Sequence, residues 1–360
     1  MIDLEVKTTS RTYPVRIGSW RDWDLRGLLD LDSMGSWALV GDKRVWEHWG
    51  QDLLSAFGSA GIEPAVLTLE AGEPMKSHDS VFQVYDFFLH HRLKRDGVVV
   101  VFGGGVLGDL VGFAAATYQR GVRYIQIPST LLAMVDSAVG GKTGVNYRNH
   151  KNMIGAFHQP DAVLVAPEWL LSLPQREFRA GLAEVVKCGA IRDPQLLTLL
   201  EEADPQRLLR STILEEVIAR ALAVKAAVVG EDETDMGVRH ILNYGHTFAH
   251  AIESATSFER FLHGEAVAIG MVAAAQLSTR VVGMDPKSAE RLEALLVRHG
   301  LPVRAPHVDA ENLLELMTMD KKANAKGQRW VLTPEWGKAT VSTQVPTEEV
   351  RRALSYVLES

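Results

Sequence analysis

The chain has 360 residues, 46% hydrophobic and 23% charged, an ordinary globular balance with material for about two domains. A formal net charge of −7 argues against nucleic acid or an anionic membrane as partner, and the longest apolar run, residues 266–275, is too short to span a bilayer. The single cysteine, Cys188, excludes an internal disulfide and fits a reducing, cytoplasmic compartment; the amino-terminal stretch has no apolar core and reads as no secretory signal.

In chain order, residues 4–6 and 13–15 read as short edge strands. Residues 37–40 read as a buried strand that ends at Gly41-Asp42. Another strand, 65–67, precedes Glu73-Pro74-Met75-Lys76, and a helix is expected over 77–92. Residues 98–102 (VVVVF) contain no polar side chain, the pattern of a parallel strand covered on both faces. This strand runs straight into Gly103-Gly104-Gly105, and the next lies at 124–128. Strands alternating with helices predict a Rossmann-like, doubly wound α/β domain. Beyond Pro174 helical periodicity takes over, at 176–189, 195–202, 211–229, 247–254, 264–282 and 288–300. The last of these stops at Gly300-Leu301-Pro302. Strand character returns only at 329–332 and 339–341. The expected organisation is therefore a nucleotide-binding domain over 1–174 and a mainly helical metal- and substrate-binding domain over 175–360.

Gly103, Gly105 and Gly108 satisfy G-x-G-x-x-G directly after an apolar strand. Such a loop lets backbone approach a pyrophosphate at the following helix N-terminus, although it also serves as a plain strand-to-helix turn. No acidic residue follows at the usual distance of about 20 residues to grip a ribose. Asp42, Glu73 and Lys76 are the candidates for that role. Three histidines, His246, His250 and His263, fall close together, and Glu184 lies in a helical stretch with Lys187 at i+3. Histidines plus one carboxylate suit zinc or a similar divalent ion with a coordination position left open. Spacing alone nominates His246 and His250, at i and i+4 on one helix face, as the ligand pair. Basic residues stand beside glycines at Arg120, Lys142 and Lys151-Asn152, and Lys187, Lys225, Arg239 and the Lys321-Lys322 pair add to them. In an acidic protein this placement suits a pocket for a small, multiply anionic substrate.

The segments GGGVLGD (103–109), AATYQRG (115–121), QIPSTLL (126–132), VDSAVGGK (135–142), KNMIGAF (151–157), GLAEVVK (181–187), NYGHTFAHAIE (243–253), HGEA (263–266) and DKK (320–322) occur in that order. Together they make the chain resemble the dehydroquinate synthase family over essentially its whole length. The resemblance implies an NAD site at Glu73, Pro74, Met75 and Lys76, at Gly104, Gly105, Val106 and Asp109, and at Ser129 and Thr130, with Asp136 near cofactor and substrate; Asp42, from its strand end, and Leu107 and Gly108, from the glycine loop, are added to that cofactor set. Trp169, Leu170, Leu171 and Ser172 would line the same site, with Lys142 and Lys151 between cofactor and substrate. It implies a zinc or cobalt ion on Glu184, His246 and His263, with His250 facing substrate, against the spacing argument. It implies substrate contacts from Asn152, Lys187, Lys225, Arg239, Asn243 and one of Lys321 and Lys322. Arg120 would reach a neighbouring subunit's site, making the protein a homodimer. His150, Ser129, Ser172 and Trp336 depart from the residues common in the family, and none removes a group the chemistry needs.

The substrate implied is 3-deoxy-D-arabino-heptulosonate 7-phosphate. The implied reaction is transient oxidation by NAD, β-elimination of phosphate, re-reduction, ring opening and intramolecular aldol closure, on the shikimate route to aromatic amino acids. The alternatives are a cyclase of the 2-deoxy-scyllo-inosose synthase type, a polyol dehydrogenase on the same scaffold, and a non-catalytic binding protein.

Overall fold

In the computed structural model, which describes residues 1–28, 35–70, 72–148, 150–322 and 328–359 and the backbone alone over 318–322, the chain separates into two units. The first comprises 1–174 and 225–234; the second comprises 175–224 and 235–360.

The first unit is built on β1 (Ile2–Lys7), β2 (Thr12–Ile17), β3 (Trp37–Asp42), β4 (Ala65–Leu69), β5 (Val98–Gly103), β6 (Arg123–Pro128) and β9 (Ala162–Val165). They form one sheet in the order β1-β2-β9-β6-β5-β3-β4. Only the β1–β2 pair is antiparallel. β5 sits between β3 and β6, and its residues Val98 to Phe102 are at most 1% exposed, which is why an all-apolar run was needed there. The expected edge position of β2 is corrected: it lies between β1 and β9, with Tyr13, Val15 and Ile17 buried. The flanking helices are α1 (Leu25–Leu28), α2 (Lys43–Ser59), α3 (His78–His90) and α4 (Gly105–Thr117).

The pattern did not show α1 or β9, nor two further features of this unit. One is α2, whose N-cap is Asp42: its Oδ1 accepts from Arg44 N at 2.9 Å. The other is an antiparallel hairpin, β7 (Lys142–Tyr147) with β8 (His150–Phe157), in register Gly144↔Gly155. These glycines let the two strands close up, since a Cβ at Gly155 would stand 2.2 Å from the Thr143 carbonyl oxygen.

The second unit holds α5 (Gln175–Ile191), α6 (Pro194–Glu202), most of α7 (Ile213–Glu231), α8 (His246–Ala255), α9 (His263–Val281), α10 (Pro286–Arg298), α11 (Ala310–Lys322), the β10 (Trp330–Glu335) and β11 (Lys338–Ser342) hairpin, and α12 (Thr347–Leu358). α9 is rich in Ala, Val and Gly and buried along most of its length, as expected of a helix apolar on every side. It packs against α5, α8, α10 and α12.

One stretch departs from the predicted division at 174: residues 225–234 group with the first unit. The cause is polar. Lys225 Nζ donates to Asp136 Oδ1 at 2.5 Å, and the buried Glu233 accepts from the hydroxyls of Thr9 and Ser10, from Ser10 N at 3.0 Å and from Gln159 Nε2 at 2.9 Å. Hydrophobic periodicity carries no trace of such contacts.

Candidate metal centre and glycine-loop cluster

Two glycines of α9 set the candidate metal centre. A Cβ at Gly264 would lie 1.9 Å from the Ala180 carbonyl oxygen, and one at Gly270 would lie 2.1 Å from the Gly245 carbonyl oxygen. Only glycine at both positions allows α9 this close to α5 and to the start of α8. Each contact lies beside a chemically active residue. His263 precedes Gly264, His246 follows Gly245, and Glu184 is one turn beyond Ala180. The close packing therefore delivers a carboxylate and two imidazoles to one point. Glu184 Oε1 is 3.6 Å from His246 Nε2 and 3.6 Å from His263 Nε2. The three ligand atoms lie within 4.8 Å of one another. Ligands of a tetrahedral zinc stand about 3.4 Å apart, so these residues fit a divalent ion.

The far side of each imidazole is held. His246 Nδ1 is 3.2 Å from the Tyr244 carbonyl oxygen, and His263 Nδ1 is 3.3 Å from Glu253 Oε1. Burial pushes His246 down to about 3; the Glu184 charge opposes this, while Lys187, His263 and His250 add to it. That histidine is neutral at physiological pH, as a ligand must be. Burial also works against a charge on His263, but Glu184 and Glu253 on either side outweigh it and raise the group to about 10. Lys187, 1% exposed, pairs with Glu184 on α5. His250 is exposed and is not among the three grouped ligands, although its ring centroid is 5.6 Å from that of His246. His246 and His250 share a helix face, as their i, i+4 spacing requires, but it is His263, brought in by α9, that joins Glu184 and His246 in the group of close ligand atoms.

In the first unit the glycine loop leads from β5 into α4, whose N-cap Gly104 makes no side-chain capping bond. A Cβ at Gly104 would stand 3.1 Å from Thr130 Cγ2, and one at Gly105 would stand 2.7 Å from Ser137 Oγ. Ser129 N donates to the Gly103 carbonyl at 2.9 Å. The loop, Ser129, Thr130 and the residue after Asp136 therefore form one neighbourhood. Gly108, inside α4, packs against Gln126; Val106 and Leu107 complete the first turn. Lys76, 5% exposed, donates to Asp109 Oδ2 at 2.5 Å and also bonds Asn152 Oδ1. Burial raises Asp109 above the usual carboxylate value despite Lys76, and the carboxylates of Glu73 and Asp136 push the same way. Asn146 was missed in the sequence. It ties the cluster together, donating to Glu73 Oε1 at 2.8 Å and accepting from Asn152 N at 2.9 Å. Lys151 Nζ lies 3.9 Å from Glu73 Oε1. Pro74 and Met75 form the short turn between Glu73 and Lys76. An uncapped helix start between glycines, with cations and carboxylates around it, fits a dinucleotide's pyrophosphate and hydroxyls.

Other expected residues fall differently. Asp42 caps α2, which occupies one of its oxygens. Trp169 and Leu170 are fully buried. The Trp169 ring packs with Trp49 at 5.4 Å, Phe102 at 5.2 Å, and Trp20 and Trp23 at 6.1 Å each. Those two side chains are core and do not line an open site, whereas Leu171 is 47% exposed and Ser172 receives the Trp49 indole N–H at 2.9 Å. Arg120 and Lys142 are exposed in the first unit, and Lys225 pairs with Asp136 there. Arg239 is buried and Asn243 half-buried in a short turn of the second unit just before His246. The side chains of Lys321 and Lys322 lie outside the described residues.

Among the described residues, no helix is long and apolar enough to cross a membrane. Residues 66–180 match the family model described as 3-dehydroquinate synthase N-terminal, and 181–323 match the one described as 3-dehydroquinate synthase C-terminal. The 3-dehydroquinate synthase of Nostoc punctiforme is 46% identical over 320 residues, covering 88% of each chain. That of Thermosynechococcus vestitus is 44% identical over 359 residues, covering 98% of each. Among solved structures, a 2-epi-5-epi-valiolone synthase from Streptomyces hygroscopicus subsp. jinggangensis, with NAD+ and Zn2+ bound, superposes with a TM-score of 0.87 at 28% identity over 96% of each chain. A 2-deoxy-scyllo-inosose synthase shares the fold, with a TM-score of 0.86 at 24% identity over 99% of this chain and 100% of its own. With both halves matched and relatives this similar along nearly the full length, the chain belongs to the 3-dehydroquinate synthase family.

Proposed function

We propose that the chain converts 3-deoxy-D-arabino-heptulosonate 7-phosphate to 3-dehydroquinate and phosphate, as a lyase of the shikimate pathway in the cytoplasm. The observation that carries the reading is the Glu184–His246–His263 centre, its first two residues buried and His263 half-buried, with the Lys187 ammonium beside Glu184, in a chain that also has the glycine loop. NAD, when bound, supplies the hydride acceptor and donor, and a divalent ion, zinc or cobalt, supplies a Lewis acid for the reacting hydroxyl.

The chain's own residues do the rest. Glu184, His246 and His263 hold the ion. Lys76, Asp109 and Glu73 grip the cofactor beside the α4 N-terminus, and Ser129, Thr130 and Asp136 flank it. Lys142, Lys151, Asn152, Lys187, Lys225, Arg239 and Asn243, with Lys321 or Lys322, bind the carboxylate, hydroxyl and phosphate oxygens of the substrate. Fixed cations of this kind hold one substrate pose through several steps. His250, exposed beside the centre, moves a proton. On this reading the first domain binds NAD, the second binds metal and substrate, and Arg120 completes the site of a partner in a homodimer. Support for the dimer comes from apolar side chains left in water on α3 and the β7–β8 hairpin: Phe82 at 57% exposure, Leu89 at 62% and Met153 at 60%.

The deciding assay supplies the heptulosonate phosphate with a trace of NAD. One phosphate per substrate and no lasting absorbance from NADH are expected. Steady accumulation of NADH would identify a dehydrogenase, and preferential turnover of glucose 6-phosphate would identify an inosose synthase.

A further inference from the structure

We infer that Glu253 is a positioning residue for the metal centre: its carboxylate accepts a hydrogen bond from Nδ1–H of His263 and so leaves the Nε2 lone pair facing the ion. The inference rests on the metal reading above and adds a residue to it.

Glu253 lies on α8, seven residues after His246 and three after His250, which places all three on one face of the helix. It is 5% exposed, and its Oε1 is 3.3 Å from His263 Nδ1. The form of the ring that binds a cation is the neutral one, with one N–H and one lone pair. When Nδ1–H donates to an oxygen that can only accept, the lone pair is left on Nε2, the atom 3.6 Å from Glu184 Oε1. His246 is set by the same logic, with the Tyr244 carbonyl as acceptor at 3.2 Å. The two acceptors are not equivalent. A carbonyl fixes orientation, whereas a carboxylate also draws positive charge onto the ring and makes Nε2 the stronger donor to a cation. The centre is therefore asymmetric, with His263 the better ligand.

The experiment compares wild type with Glu253→Gln and Glu253→Ala after metal is stripped. Zn2+ affinity is read by competition with a chromogenic chelator, and the Co2+-loaded proteins are compared by visible absorption. Glu253→Gln keeps the shape and an acceptor oxygen but removes the charge, so about a tenfold loss of affinity is expected; Glu253→Ala should lose nearer 100-fold. The cobalt spectrum should shift in both. Circular dichroism and melting of the metal-free proteins report folding, and if the alanine variant does not fold, the near-isosteric glutamine variant carries the test. Wild-type affinity and spectrum in the glutamine variant would overturn the role of Glu253 alone. A wild-type protein that binds neither ion would overturn the metal reading along with it.

Discussion

His246, His250 and His263 carry the same imidazole and meet three different surroundings. His246 is buried against a carbonyl and held neutral; His263 lies between two carboxylates; His250 is open to solvent. Their loss should therefore fail in different ways. His263→Ala removes one of the three proposed ligands, and the purified protein should lose its zinc on dialysis, with partial recovery of activity in excess zinc or cobalt. His250→Ala should keep its metal while turnover falls by about 10²- to 10⁴-fold, the usual value of a positioned proton-transfer group. Elemental analysis of the two folded variants settles the matter. Metal lost from His250→Ala and retained by His263→Ala would restore the i, i+4 pair and remove the assignment made here.

At the scale of elements, the centre depends on how closely helices approach. An alanine in place of a helical glycine ordinarily stabilises by roughly 0.5–1 kcal/mol. Gly58, in α2 with nothing within 4 Å of the added carbon, should follow that rule. Gly270 should reverse it, because the added methyl meets the Gly245 carbonyl oxygen at 2.1 Å and backbone cannot move aside cheaply. Gly270→Ala is expected to cost about 1–3 kcal/mol and to weaken metal binding by displacing His246. Denaturant melts of both variants test the difference in sign; a Gly270→Ala protein as stable as wild type would show that α9 has room to spare. The 225–234 segment offers a second test. Burial alone would raise Glu233, but hydrogen bonds from Ser10, Thr9 and Gln159 hold it down to about 2 against the usual 4.5. A carboxyl lowered on folding stabilises the fold fully above 4.5, and that contribution drains away as pH falls toward 2. Glu233→Ala should thus lower stability at neutral pH and shrink the difference from wild type in acid. A gap that stays constant from pH 7 to about pH 3 would contradict the hydrogen-bonded carboxylate.

For the molecule as a whole, the proposal that Arg120 serves a partner subunit predicts complementation. Arg120→Ala and Lys187→Ala, each inactive alone, should regain activity when mixed and refolded together, since a mixed dimer then holds one site with both residues. Size-exclusion with light scattering should show a dimer for each variant. Mixtures no better than either parent would place Arg120 in its own subunit's site. The Phe82, Leu89 and Met153 surface gives an independent check. Phe82→Asp should favour monomers, because a charge buried at an apolar contact is left unpaired.

Much was legible in residue order alone. The VVVVF run required a strand covered on both sides, and β5 is that strand; the 3.6-residue periodicity beyond residue 174 required helices, and helices fill the second unit. The string of motifs was specific enough to indicate the family before any coordinate was known. What periodicity reports is the face a side chain occupies on its own element. It does not report which neighbour that face meets. So His246 and His250 were readable by spacing as one stripe of α8, and His263 entered only through the family resemblance; periodicity alone did not show that α9 lies against that stripe, or that Glu253 stands behind His263. Trp169 looked like lining until four other aromatic rings closed around it, and residues 225–234 looked like the end of a helix until Glu233 found Thr9, Ser10 and Gln159. Short-range pattern is set by the exclusion of water from one side of an element, which sequence encodes directly. Ligand sets and polar struts depend on contacts between residues tens to hundreds of positions apart, and only the packed chain brings those together.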